Sequence, residues 1–240
     1  NDFEFIKELD PDMIITCAYG QILSEEILNI PKLGCFNLHG SLLPKYRGGA
    51  PIHYALLNGD EKTGITLMYM DKGMDSGDMI AKEEIKIEDN DNIESLTNKL
   101  SIIASNMIIK YLPSLIDGTN NREKQNNSEV TFSPIITRED EHLDFNLSAK
   151  EIYNRYRMLS PNPLPNIKID DIEYKIAECK IVQASGKIST VVSKDKNSFT
   201  IMAKDKGIMV TKIKPIGKNI MNVRDFFNGY HDEIIGKEVK

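Results

Sequence analysis

Apolar and polar positions change texture partway along the chain. In the first part, strand-like and helix-like patterns alternate. Asp12 to Ala18 (D-M-I-I-T-C-A) is a short, nearly continuous apolar run, which predicts a strand buried on both faces of a parallel sheet. Tyr19-Gly20 turns the chain, and Ser24 can cap a short helix whose first turn carries Glu25 and Glu26, the favourable sign for that end. After Pro31 and Gly34, Cys35 to Leu38 reads as another strand, ending at His39-Gly40. Pro51 opens a helix and Gly59 stops it. Thr63 to Met70 is strand-like, Asp71 to Asp78 is a Gly-punctuated loop, and Met79 to Ile87 is strand-like again. Ile93, Leu96, Leu100, Ile103 and Met107 repeat at helical spacing, predicting a long amphipathic helix from Asn92 to Asp117. This order of elements is that of an α/β domain. The pattern enters with a helix tail (Phe3 to Leu9), one inner strand and no initiator Met, so the expected domain lacks its beginning.

Thr119 to Glu129 is polar and without periodicity, as a linker would be. Ser148-Ala149-Lys150-Glu151 fits a capping box opening a helix to Leu159. Beyond S-P-N-P-L-P come short β runs: Ile167 to Ile169, Glu173 to Val182, Lys187 to Ser193, Ser198 to Ala203 and Gly207 to Ile213. That spacing predicts a small β-barrel, with a last short helix from Asn222 to Phe227 ending at Gly229. The expected division is an α/β domain over 1–118, a linker over 119–137 and a β-barrel domain over 138–240.

Composition excludes several classes. With 40% hydrophobic and 28% charged residues, collagen-like and disordered chains are ruled out. No apolar run approaches the ~20 residues of a membrane helix, and the first residues carry no secretory pattern. Cys17, Cys35 and Cys179 lie far apart, which points to reduced thiols in a cytoplasmic protein and to no structural zinc. Charge is unevenly divided. Residues 1–147 carry 13 Lys+Arg against 25 Asp+Glu, whereas residues 148–240 carry 17 against 11. A basic second part suits a polyanion partner; ordinary solvated surface charge is the competing explanation.

The densest polar cluster is Phe36 to Pro51, F-N-L-H-G-S-L-L-P-K-Y-R-G-G-A-P. Asn37 and His39 lie two apart in a predicted strand, so both side chains share one face. They stand at its C-terminal end, where open α/β sheets hold their ligands. A histidine moves protons near neutral pH and a carboxamide N–H stabilises an oxyanion, a pair suited to acyl transfer. A lone strand-end histidine is more often structural, and Asn37 could simply cap a turn. The third element is M-D-K-G-M-D-S-G-D-M, Met70 to Met79, in which Asp75 could orient His39 and stabilise its imidazolium. Asp71 and Asp78 fit solvated or turn-forming roles. Calcium fails on this loop because the EF-hand ligand series is absent. Lys45 to Gly49 could grip phosphate, yet it lacks the Walker and G-x-G-x-x-G spacings. His53, His142 and His231 have no ligand-spaced partners and read as surface or core; Tyr153 and Tyr156 read as packing. Ser41 is outside a G-x-S-x-G elbow, and Cys35 lies inside a strand.

G-C-F-N-L-H-G-S-L-L-P-K-Y-R-G-G-A-P-I followed by T-G-I-T-L-M-Y-M-D-K-G-M-D-S-G-D-M strongly resembles the 10-formyltetrahydrofolate-dependent formyltransferases. The resemblance covers essentially the whole chain. Its later part is similar to the members that act on initiator tRNA, through L-S-A-K-E-I-Y-N-R-Y-R-M-L-S-P-N-P, the β module and K-P-I-G-K-N-I-M-N-V-R-D-F-F-N-G-Y. The resemblance implies a Rossmann-like formyltransferase domain followed by an OB-like barrel that binds tRNA. It implies that Asn37, His39 and Asp75 are catalytic, that Ser41, Leu42, Leu43 and Pro44 form the folate-contacting loop, and that Tyr19 and Gly20 line the same pocket. The implied reaction moves a formyl group from 10-formyltetrahydrofolate to the α-amino group of initiator methionyl-tRNA, without metal or nucleotide cofactor, in a monomeric cytoplasmic enzyme with no membrane partner. Two departures stand out. Nothing here matches the family's first βα units, which include a basic loop contacting the tRNA acceptor end. The family's usual Trp after N-P is also missing: the chain reads Asn162-Pro163-Leu164-Pro165 and has no Trp, so that junction must pack differently. Two other readings share these motifs: a sugar-nucleotide formyltransferase, and a non-catalytic RNA-binding protein with a decayed enzyme domain. The intact trio argues against decay.

Overall fold

β-Branched Ile14, Ile15 and Thr16 set the extended strand β1 (Ile14–Cys17), which pairs in parallel with β2 (Cys35–His39), Thr16 opposite Asn37. In the computed structural model, which describes residues 2–229 and 233–240, these strands belong to a four-stranded sheet of order β1-β2-β3-β4. β3 (Lys62–Tyr69) and β4 (Met79–Lys86) are both antiparallel to their neighbours. The expected parallel sheet is therefore a mixed one, and β1 is half-exposed with an alternating pattern rather than buried on both faces. The strand buried on both faces is β3, whose six central residues Thr63 to Met68 are all buried. It lies between two partners, whereas among the described residues β1 pairs with β2 alone.

Helices fill the connections. α1 (Asp2–Glu8) precedes β1, and α2 (Glu25–Leu28) starts at Ser24, whose hydroxyl accepts from the Ile27 N–H. α3 (Pro51–Leu57) begins on its proline, and α4 (Ile93–Asp117) buries Leu96, Leu100, Ala104, Met107 and Leu115 along one stripe. The chain divides into two compact units. The first comprises Asn1–Ala55, Asp60–Asp89 and Ser95–Ile135; the second comprises Leu56–Gly59, Asn90–Glu94 and Ile136–Lys240.

In the second unit, α5 (Ala149–Leu159) carries the expected capping box, with Ser148 and Glu151 each bonding the other's backbone N–H. An antiparallel sheet follows: β5 (Asn166–Ile169), β6 (Ile172–Val182), β7 (Val191–Lys194), β8 (Phe199–Met202), β9 (Gly207–Pro215) and the short β10 (Met221–Asn222). Its order is β5-β6-β9-β8-β7, with β10 on β9. The last described residues join the two outer strands: Val239 bridges Ile169 at the end of β5, and Glu238 bridges Thr190 just before β7. The sheet thus curls into a barrel around Phe199, Ile201, Ile208, Val210 and Ile213, with Phe226 of α6 (Val223–Gly229) packed in the same core. Leu164, standing where the family's Trp is absent, is buried. His231 lies outside the described residues. Among the described residues, no helix is long and apolar enough to cross a membrane.

Candidate active site

The strand pleat places Asn37 and His39 on one face of β2, as their spacing requires. His39 is 5% exposed, and its Nε2 lies 2.8 Å from the Tyr46 carbonyl oxygen. A carbonyl only accepts, so Nε2 carries a proton, and Nδ1 is the basic atom of the neutral ring. Nδ1 stands 3.5 Å from Oδ1 of Asp75. The Tyr46 carbonyl thus holds one ring nitrogen of His39, and the Asp75 carboxylate faces the other. The carboxylate is near enough to stabilise a proton arriving on Nδ1, and its other oxygen accepts from the Gly48 N–H at 2.9 Å. Asn37 is half-buried, and its Oδ1 accepts from the Thr16 hydroxyl at 2.9 Å. That bond leaves the amide NH2 as the group that donates into the site.

The loop after β2 is anchored from both sides. The buried Ser41 hydroxyl donates to the Lys45 carbonyl at 2.6 Å. Thr66 of β3 donates to the Ser41 carbonyl and accepts from the Leu43 N–H. Leu43 is fully buried in a cluster with Met68 and Met79, so its side chain belongs to the core. Leu42 is half-buried, and Pro44 is buried. Tyr19 and Gly20 follow β1 at the same end of the sheet, but make no described contact with the trio. Asp71 forms a turn, accepting from Gly73 N–H and Ser76 Oγ, while Asp78 pairs with Arg122 at 2.7 Å.

Several residues around the site carried no local signal. The polar stretch read as a linker runs across the first unit. Glu123 exchanges backbone bonds with Met79, and Phe132 bridges Arg47. Ser133 donates to the Tyr46 carbonyl at 3.1 Å. Arg47, a candidate phosphate grip in the sequence, is 8% exposed, and its Nε and Nη2 both donate to Gln125 Oε1. Gln125 Nε2 in turn donates to the carbonyls of Asp75 and Gly77. Gly48, at φ +121°, leaves no room for a side chain, since a Cβ there would lie 2.7 Å from the Ser133 carbonyl oxygen.

Other nucleophiles and metal sites are not favoured. Burial pushes the Cys35 thiol up to about 11 and raises Cys179 further, so both are inert at neutral pH. Burial also lowers the pKa of His53, keeping that ring neutral. Among the described residues, no group of three or more His, Cys, Asp or Glu side chains could hold a metal ion.

A mixed α/β sheet that carries an amide and a histidine at the end of an inner strand, with a carboxylate facing the histidine, followed by a small β-barrel, is the arrangement of the formyltransferase class. The chain belongs to this family: the formyl transferase model matches residues 3–112, and the model of the formyl transferase C-terminal domain matches residues 135–231. The relatives narrow the class to a particular enzyme. The chain is 42% identical to the methionyl-tRNA formyltransferase of Macrococcus caseolyticus, covering 98% of this chain and 76% of the relative. The solved methionyl-tRNA formyltransferase from Clostridium thermocellum is 25% identical, with a TM-score of 0.60 and 78% of each chain covered. HypX from Aquifex aeolicus, solved with tetrahydrofolic acid, shares the fold at 16% identity and a TM-score of 0.74, over 97% of this chain and 41% of HypX.

Proposed function

We propose that this protein transfers a formyl group from 10-formyltetrahydrofolate to the α-amino group of methionyl-initiator tRNA. The observation that carries the proposal is His39 on the same face of β2 as Asn37, with its Nδ1 facing the Asp75 carboxylate at 3.5 Å. The amine attacks the formyl carbon and forms a tetrahedral adduct, whose oxyanion receives the Asn37 N–H. His39 Nδ1 takes the proton released by the attacking nitrogen, and Asp75 stabilises the resulting imidazolium. Collapse of the adduct breaks the bond to N10 of the folate, which accepts the proton from His39. The products are formyl-methionyl-tRNA and tetrahydrofolate. The Ser41 to Pro44 loop, held in place by Thr66, and the Tyr19-Gly20 turn fit the role of folate-binding walls.

The barrel unit, in the part of the chain with 17 basic against 11 acidic residues, is assigned the tRNA phosphates. The trio comes from one chain within one unit, consistent with a monomer, and three free thiols suit the cytoplasm. The test supplies 10-formyltetrahydrofolate with either methionyl-initiator tRNA or an amino-sugar nucleotide. The tRNA should be formylated; His39→Ala should lower the rate by about 10²–10⁴-fold and Asn37→Ala by about 10²–10³-fold. Formylation of the sugar nucleotide alone, or undiminished turnover in either variant, would overturn the proposal.

A further inference from the structure

Asp75 sits at φ +47°, a left-handed conformation that Asp tolerates better than most residues with a side chain and that turns the loop at the carboxylate. A set of hydrogen bonds holds it there. One carboxylate oxygen accepts from the Gly48 N–H at 2.9 Å. The backbone carbonyls of Asp75 and Gly77 both accept from Gln125 Nε2, at 2.7 and 2.9 Å. Gln125 Oε1 accepts from Nε and Nη2 of Arg47 at 3.0 and 2.8 Å. Arg47 immediately precedes Gly48, so the hydrogen bonds close a ring around the carboxylate.

We propose that Gln125 is a positioning residue for formyl transfer: it clamps the Asp75 loop so that the carboxylate faces His39 Nδ1. The inference rests on the assignment of Asn37, His39 and Asp75 above. Only a primary amide meets both demands. A guanidinium can only donate and a carbonyl can only accept, so the Arg47 side must meet an oxygen and the loop side must meet an NH2. All four hydrogen-bonding positions of the Gln125 amide are thereby used, and its orientation is unambiguous. Arg47 is itself locked by its backbone, whose N–H donates to the Thr131 carbonyl at 2.9 Å and whose carbonyl accepts from the Ser133 N–H at 2.8 Å. The clamp is therefore fastened to a rigid point, and it acts on the catalytic carboxylate through the backbone rather than by touching substrate.

Glutamate at this position separates positioning from mere packing. Beside Arg47 it is ionised: it keeps the guanidinium's partner, loses both donors and sets charge against two carbonyl oxygens. The experiment compares Gln125→Ala and Gln125→Glu, alone and with Asp75→Asn, by steady-state formylation of methionyl-initiator tRNA and thermal melting. Both single variants should lower kcat by about 10–100-fold, the scale of a catalytic group displaced by an ångström, with KM for 10-formyltetrahydrofolate within about threefold of wild type. In the Asp75→Asn background, Gln125→Ala should cost less than about twofold more, because its only route to the chemistry has been removed. Should Gln125→Ala fail to fold, Gln125→Glu with its Arg47 pair retained carries the comparison. Wild-type kcat in Gln125→Glu, or an undiminished Gln125→Ala loss in the Asp75→Asn background, would overturn the positioning role while leaving the trio intact. Wild-type kcat in Asp75→Asn alone would overturn the trio assignment itself.

Discussion

Gly77 lies two residues beyond Asp75, and its missing side chain sets where that loop can go. A Cβ at this position would lie 1.9 Å from the Tyr69 carbonyl oxygen and 2.9 Å from its carbon. Both are backbone atoms at the end of β3, whose six central residues are buried between two strands, so the strand does not yield. The loop must move instead. To reach 3.0 Å, the floor for a real Cβ contact, it must withdraw by about 1 Å, a misplacement able to cost about 10²-fold in rate. The same shift stretches the Gln125 hydrogen bonds to Asp75 and Gly77, now 2.7 and 2.9 Å, past the hydrogen-bonding range. It also displaces Asp75, which now stands 3.5 Å from His39 Nδ1. Gly77→Ala should therefore lower kcat for formylation by about 10²-fold while costing only about 1–3 kcal/mol in stability, the usual scale of overpacking. Steady-state kinetics alongside urea unfolding measures both. A folded Gly77→Ala protein with wild-type kcat would refute the placement of the Asp75 loop as a catalytic element.

The other predictions concern the barrel. Removing Lys237 to Lys240 strips the backbone bonds to Lys168, Ser189 and Val191 and the buried Val239 side chain; the truncated protein should be cut by protease near the β5 and β7 edges, and unchanged resistance would show that the chain end does not close the barrel. Lys214→Glu with Lys218→Glu should flatten the slope of log tRNA affinity against log salt by about 0.7–0.9 for each phosphate that is no longer neutralised, measured by fluorescence titration. Lys212→Glu should flatten it less, because Lys212 already pairs with Glu178 at 2.6 Å and holds that carboxyl below its ordinary range; equal effects at all three positions would refute this ranking.

What could be read from the residues was what lies close along the chain. The Ser148–Glu151 capping box is a spacing of three, and Asn37 with His39 is a spacing of two; both follow from backbone period alone. Asp75 was legible because its Gly-bearing loop is a compact motif. Strand direction was not: nothing in the apolar run of β3 says that it is antiparallel to β2, since continuous burial is compatible with either pairing. Gln125 was invisible for a related reason. Its partners are 78, 50 and 48 residues away, and it sits in a polar, aperiodic stretch that has the composition of a linker. The closure of the barrel by Glu238 and Val239 depends likewise on pairings with Thr190 and Ile169 that no local pattern announces.

Arg47 shows how a basic residue near the proposed catalytic groups can mislead. Set between a tyrosine and two glycines, it has the look of an anion grip, yet its guanidinium is buried and committed to an amide oxygen. The commitment matters for the reaction. A triad carboxylate usually holds its histidine by a hydrogen bond, but here the Tyr46 carbonyl holds the ring at 2.8 Å. In the proposed reaction Asp75 faces the other nitrogen, where it would stabilise the proton that arrives on Nδ1. Its position is also set by hydrogen bonds from elsewhere. Gly48 fixes one oxygen, and the Arg47–Gln125 pair fixes the backbone beneath it. Gly48 and Arg47 directly follow Tyr46, so the ring and the carboxylate are both tied to this stretch of backbone, the carboxylate's loop through Gln125.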